Sequence, residues 1–483
     1  MSQEVRKLEP SSLWNHFADL NAVPRPSKKE ERVIAFMKSF GESLGLKTIV
    51  DEIGNVIIYK PGTAGYEDHT PVILQGHLDM VHQKNNDVNF DFDKEGIKMY
   101  IDGDWVKAEG TTLGADNGIG VAATMALLSS KDIPHPPLEA LFTIDEETGM
   151  TGAAALQPGL LDGKILLNLD SEDDSEITIG CAGGIDVTVT KQYHEEIVRE
   201  GHTGLIIKVK GLTGGHSGMD IHRGRGNANK LMNRLLWNAA DTHDVHIHQI
   251  NGGGLRNAIP RESTAHIWVK DADLAQVKAD IQSEAQLIIK EYKTTDPHLE
   301  ILVEEGNFGT AIMNREDQTA LLNAIYAAPN GIYRLSPDVE DLVQTSNNLA
   351  HVSVKSGHIK IDNLTRSAVD SEKLDLAHAI QSCFQLMGAE VRLTGSYPGW
   401  APDPHAKINT VLADAFERHY GKKPAILACH AGLECGIIKN AYPDVDMISF
   451  GPNIRGAHSP DEKVQISSVA KFWELLKKVL KDL

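Results

Sequence analysis

Apolar residues recur along this chain in two rhythms, and the change from one to the other divides it. After Ser27-Lys28-Lys29-Glu30, which matches a capping box, Val33, Ile34, Met37 and Phe40 fall at helical spacing. Val56-Ile57-Ile58-Tyr59 follows the turn signal Gly54-Asn55 and reads as a strand. Three short apolar runs, at 72–74, 138–144 and 165–167, read as buried strands. Between the first two, Ile119, Ala122, Ala123, Ala126 and Leu127 make a helical stripe over 117–130. Strands alternating with helices predict an α/β fold with a largely parallel sheet and helices on both faces.

From about Val187 the rhythm changes. Leu205, Ile207 and Val209 alternate, as in a half-exposed strand. Further strand and helix patterns run to about Tyr397, which fits an antiparallel sheet with helices on one face. Pro398-Gly399-Trp400-Ala401-Pro402 marks a return linker, and 405–483 resumes with the apolar strand 446–450. A closing helix carries Val469, Phe472, Leu476, Val479 and Leu483 on one face. The expected organisation is a core domain in two parts, 1–187 and 398–483, interrupted by an α+β insertion at 188–397. The insertion's pattern allows two consecutive α/β sandwiches, 188–304 and 305–397.

Composition narrows the partners more than the chemistry. With 483 residues, 41% hydrophobic and 24% charged, the chain is long enough for two or three folded domains. Lysine and arginine number 47 against 67 acidic residues, a net charge of −20. That balance disfavours nucleic acid or an anionic membrane as a partner. No apolar stretch follows the charges of Met1 to Arg6, and no run approaches the ~18 residues of a membrane span. The cytoplasm is the expected compartment. Four scattered cysteines, none in a C-x-x-C pair, argue against a thiolate metal site.

Three of the strands run into groups that bind metals. The run at 72–74 leads into Gln75-Gly76-His77-Leu78-Asp79, that at 138–144 into Asp145-Glu146-Glu147, and that at 165–167 towards Asp170. Asp116 precedes a helix in Gly114-Ala115-Asp116-Asn117-Gly118, and His458 follows the strand at 446–450. Singly, each has a plainer reading as a hydrogen-bonded histidine, a solvated acid pair or a helix cap. Jointly they would meet at the carboxyl edge of one sheet, where open α/β folds bind ligands. Two imidazoles and three carboxylates suit zinc, manganese or cobalt. Five protein ligands exceed what one catalytic zinc takes, which points to two metals and a bridging carboxylate.

Other motifs lead nowhere. Gly118-Ile119-Gly120-Val121-Ala122-Ala123 fits a dinucleotide fingerprint but follows a polar loop instead of a strand, and reads as close packing at a helix start. Neither a Walker A loop nor a G-x-S-x-G elbow occurs.

Taken together, the stretches 75–81, 110–118, 145–149, 168–172, Gly214-Gly215-His216-Ser217-Gly218, Arg256-Asn257-Ala258-Ile259-Pro260 and His458-Ser459-Pro460-Asp461-Glu462 resemble the M20 family of metallopeptidases. The resemblance is to its branch of dipeptidases acting on Xaa-His dipeptides such as carnosine, and it spans nearly the whole chain. It implies a zinc-peptidase catalytic domain interrupted by a lid, with two divalent ions per chain, zinc first and manganese or cobalt as alternatives. Asp116 would bridge the metals, His77 and Asp170 completing one site and Glu147 and His458 the other. Glu146 would be the general base, and Asp79 would orient His77. His216 would stabilise the oxyanion, while Arg366, with Asn257 beside it, would take the substrate carboxylate. For the substrate amino group Asp173, Asp174 and Glu434 stay open. The resemblance also implies a homodimer, and the enlarged insertion suggests that His216 and Arg366 serve the metals of their own chain. An amidohydrolase acting on N-acyl amino acids, or a binding protein without catalysis, are the rival readings.

Overall fold

The computed structural model describes residues 2–483. The chain forms two compact units. The first runs to Gly180 and includes Pro402–Ala428 and Leu433–Leu483; the second is Cys181–Ala401 with Cys429–Gly432.

The first unit is built on an eight-stranded sheet. Its order is Lys47–Val50, Val56–Lys60, Leu138–Thr143, Val72–His77, Ile165–Asn168, Asp446–Ser449, Glu176–Cys181, Ala425–Cys429. The four strands from Leu138–Thr143 to Asp446–Ser449 are parallel. Antiparallel pairs flank them on either side, so the sheet is mixed and parallel at its centre. The reason lies in the runs themselves: the central strands are buried on both faces. Val72 and Leu74 pack into one cluster, while Ile73, Leu141 and Leu166 are equally hidden on the alternate positions.

Helix Ala115–Ser129 lies almost wholly inside this unit. A Cβ on Gly118 would meet Arg25 Nη2 at 2.7 Å, and one on Gly120 the Leu169 carbonyl at 2.5 Å. These glycines serve close packing, as the sequence suggested. The capping box at Ser27 does not form. Helix Glu31–Ser43 begins later, with Glu30 at its N-cap and no side-chain cap, because the Ser27 hydroxyl donates instead to Asp79 Oδ2 at 2.7 Å.

The second unit holds one nine-stranded sheet. The order is Glu300–Glu305, His202–Lys210, Ser263–Lys270, Val245–Gly253, Val343–Lys355, His358–Ser367, Gly183–Gln192, Glu390–Tyr397, with Gly331–Leu335 paired to Val343–Lys355. Leu205, Ile207 and Val209 are fully buried, the alternation having placed them on the core face. The two sandwiches sketched from the sequence are joined edge to edge, because Ile250–Gly253 pairs with His351–Val354. A shared sheet spares each half an exposed edge. Strand Gly183–Gln192 sits among the late strands, between His358–Ser367 and Glu390–Tyr397. Helices Ala228–Thr242, Leu274–Tyr292, Arg315–Ala327 and Asp370–Gln385 supply apolar residues to one common core. Among the described residues no helix is long and apolar enough to cross a membrane.

Candidate metal centre

The parallel strands deliver their carboxyl ends to one place in the first unit. His77 is the last residue of Val72–His77, and Asp170 stands two residues beyond Ile165–Asn168. After Leu138–Thr143 the chain turns through Asp145 (φ 55°) into the short helix Glu146–Gly149, which opens with both glutamates. Asp116 is held at the mouth of helix Ala115–Ser129 in an extended backbone, φ −81° and ψ 114°, which swings its carboxylate off the helix axis. His458 (φ 64°) comes from the loop preceding Lys463–Gln465.

The distances divide these side chains into two triads sharing one member. His77 Nε2 lies 3.1 Å from Asp116 Oδ1 and 3.5 Å from Asp170 Oδ1. His458 Nε2 lies 3.3 Å from Asp116 Oδ2 and 2.9 Å from Glu147 Oε2. Thus the two oxygens of Asp116 face different histidines. The ligand atoms of each triad fall within 4.8 Å of one another.

Asp79 stands behind His77. Its backbone carbonyl is 3.2 Å and its Oδ1 3.4 Å from His77 Nδ1, leaving Nε2 to face the two aspartates. The same carboxylate accepts the backbone N–H of Glu146 at 3.0 Å and of Glu147 at 3.3 Å. One buried acid therefore fixes the imidazole and the start of the helix carrying both glutamates. Glu462 does similar service for the Asp116 loop: its two oxygens accept the N–H groups of Leu113, Gly114, Ala115 and Asp116. Arg25, fully buried, donates to the carbonyls of Leu78, Asp79 and Gly114. The sequence pattern gives Glu462 and Arg25 no role, and gives Ser27 only that of a helix cap. Nothing in their local spacing marks them, since their partners are 50 to 350 residues away.

Crowding of acids in a dry place shows in their protonation. Burial pushes Asp170 up to about 6 and Glu172 to about 8, with Asp116 adding to both. Burial likewise raises Glu146 well above the usual carboxylate range, and lifts Glu434 to about 7. Burial opposes the ionised form of Asp116 too, but hydrogen bonds from His458 and His77 outweigh it and hold Asp116 low. Bonds to Asp116 and Glu147 raise His458 to about 11. Asp170 Oδ1 is buried without a hydrogen-bond partner. An orphaned buried oxygen, facing imidazole nitrogens amid surplus negative charge, is what a pair of divalent cations would satisfy. The donor set is all nitrogen and oxygen, which suits zinc, manganese or cobalt. The residues present fit two such ions.

The other predicted residues lie in the second unit. His216 follows Gly214 (φ 65°) and Gly215 (φ 133°), where a side chain at 215 would strike Asp220 and Arg225. Its Nδ1 accepts the N–H groups of Gly218 and Met219 at 3.1 and 3.0 Å, so the ring proton sits on Nε2. Burial, then the charge of Arg366, lowers its pKa and keeps it neutral. Arg366 is 4% exposed and donates to the Tyr397 hydroxyl at 2.9 Å, with Ser217 Oγ at 3.4 Å. Among the described residues no carboxylate pairs with it. Asn257 is exposed, and it joins this group through its backbone carbonyl, which accepts the Ser217 N–H, not by bonding Arg366. His430 completes the cluster unforeseen: burial and Arg366 hold its pKa down at about 3, and its Nε2 meets Ser346 Oγ at 2.8 Å. Of the residues open for a substrate amine, Glu434 accepts from Gln75 and Thr143, its Oε1 remaining unpartnered, whereas Asp173 is tied to Arg455.

The model of peptidase family M20/M25/M40 matches residues 73–482. The chain is 42% identical over 480 residues to the cytosol non-specific dipeptidase of Escherichia coli K12, covering 99% of each. It superposes on an aminoacylhistidine dipeptidase from Vibrio alginolyticus with a TM-score of 0.95, at 42% identity, over 100% of this chain and 99% of that one. A Bacillus cereus aminopeptidase, 17% identical with a TM-score of 0.58 over 98% of this chain and 99% of that one, shares the fold. The family model and the nearly full-length match agree: this chain belongs to peptidase family M20/M25/M40.

Proposed function

We propose that this protein is a di-metal dipeptidase, hydrolysing the peptide bond of unblocked dipeptides, Xaa-His dipeptides such as carnosine among them. The observation that carries the reading is Asp116, whose two carboxylate oxygens face two separate histidine–carboxylate pairs. The names of the E. coli and Vibrio relatives, a non-specific dipeptidase and an aminoacylhistidine dipeptidase, support the substrate class.

His77, Asp116 and Asp170 would hold one ion and Asp116, Glu147 and His458 the other, zinc being the first choice. Bound there, the pair supplies Lewis acidity, bringing the attacking water's pKa from 15.7 towards ~7 and polarising the scissile carbonyl. Glu146, beside the ligand Glu147 at the start of the same short helix, takes the proton of that water and returns it to the leaving amine. Asp79 keeps His77 in one tautomer and pins the helix that presents Glu146. His216, neutral and protonated on Nε2, donates to the oxyanion. Arg366 grips the substrate carboxylate, for which its buried guanidinium is unpaired, with Asn257 at the rim. The proposed assembly is a homodimer in the cytoplasm.

Metal analysis of the purified protein, paired with rates on carnosine, Gly-His, Gly-Leu and an N-acetyl amino acid, tests the reading. Two catalytic ions per chain and cleavage of the free dipeptides are expected. Loss of a single ion in Asp116→Ala would sink the bridge, and preference for the N-acetyl substrate would sink the dipeptidase.

A further inference from the structure

A second set of metal-binding groups lies far along the chain from the first, on the sheet of the second unit. His202 opens strand His202–Lys210, and Asp244 and His246 flank the start of strand Val245–Gly253. Register explains how they meet. Gly204 and His246 both pair with Trp268 on the intervening strand, and His202 pairs with Lys270. His202 and His246 therefore stand on the face opposite the buried Leu205, Val245 and Ile247. Their ring centroids are 5.7 Å apart, and His246 Nε2 is 3.2 Å from Asp244 Oδ1. A ligand atom from each of the three lies within 4.8 Å of the other two. Around a tetrahedral ion with bonds near ~2.1 Å, donor atoms stand about 3.4 Å apart and two imidazole centroids about 5 Å apart.

The protonation pattern favours a cation over a hydrogen-bonded cluster. His202 Nδ1 is 3.0 Å from the Arg199 carbonyl, which can only accept, so Nδ1 carries the proton. Nε2 is then a lone pair, and it is buried with no hydrogen-bond partner. A backbone carbonyl fixing one nitrogen while the other awaits a donor is the arrangement by which ligating histidines are oriented. The nearest opposing charge is Arg315, whose Nη1 is 3.6 Å from Asp244 Oδ1 and which is also anchored to the Ala240 carbonyl.

We propose that His202, Asp244 and His246 form a further divalent-metal site, of the zinc class, distinct from the catalytic pair. Two imidazoles and one carboxylate leave the fourth position of the tetrahedron to water. Such an ion would clamp two strands that are not neighbours across the one between them.

Zinc content is measured on the full-length protein after equilibration with micromolar zinc and gel filtration, for the wild type, His202→Gln, His246→Gln and Asp244→Asn. Far-UV circular dichroism and dipeptide hydrolysis verify that each variant is folded. The expected result is one zinc fewer per chain in both histidine variants, with hydrolysis rates within twofold of wild type. A cobalt-loaded sample should lose the matching share of its visible absorption. Equal zinc in wild type and in two folded histidine variants would overturn the site. If either histidine variant misfolds, Asp244→Asn, at an exposed position, decides alone: at least a tenfold weaker third site supports the proposal, and unchanged zinc binding refutes it.

Discussion

At the scale of the residue, the roles proposed here separate by what each substitution removes. Glu146→Gln keeps shape but cannot take a proton, so kcat should fall by ~10²–10⁴ while both metals stay bound, as metal analysis would show. His216→Ala removes an oxyanion donor, and kcat should drop ~10²–10³ with KM little changed. His430 contributes differently. Its folded pKa of about 3 lies below the ordinary 6.5. The unfolded chain binds a proton there that the native state refuses, so the residue's stabilisation is complete above pH 6.5. It is lost as pH falls from 6.5 towards 3, by about 1.4 kcal/mol per pH unit. Urea midpoints measured across that range should flatten in His430→Gln by one proton's worth of slope; an unchanged slope would contradict the burial argument.

At the scale of the element, the turns at the strand ends do more than the strands. Four backbone donors of the Asp116 loop converge on Glu462. Glu462→Ala would leave them without a partner in a buried place, at a cost of about 1–3 kcal/mol for each donor left unsatisfied. Denaturation should show that loss, and metal affinity should fall with it because Asp116 is no longer held. The strand-end residues were legible in the sequence because apolar runs and metal-binding types are local signals. Glu462, Arg25 and Ser27 were not, since each acts on a segment distant in the chain. The false capping box at Ser27 makes the same point: a short-range pattern was outcompeted by a buried carboxylate fifty residues on. Nothing local marks His430, because a single histidine between Cys429 and Ala431 carries no periodicity. The insertion's strands could be read from alternation, whereas the pairing that merges its two halves depends on Ile250–Gly253 finding His351–Val354, which no local pattern encodes.

At the scale of the whole molecule, each unit has its own core, and the proposed catalytic ions lie in the first. A chelator withdraws a ligand bound only by the native state, worth about 4 kcal/mol for an ion present at a thousand times its Kd. Calorimetry should therefore show the first unit's transition falling further than the second's when the metals are removed. The insertion's enlargement predicts that each chain serves itself. Mixing His216→Ala with Glu146→Ala chains should recover no activity; recovery would show that active sites are shared between chains.

The short pairing of Ile250–Gly253 with His351–Val354 has a mechanical consequence. The neighbouring strands are zipped over much longer stretches, from Thr345↔Ser367 to Lys355↔His358 on one side and from Val245↔Val269 to Gly252↔Ser263 on the other. Besides the shared apolar core, asparagines cross this line: Asn227 and Asn229 reach the Leu349 carbonyl, and Asn348 reaches those of Arg256 and Ala258. Pulled by its two halves in a force-spectroscopy experiment, the nine-stranded sheet should part along this line first, before either longer-paired neighbour yields.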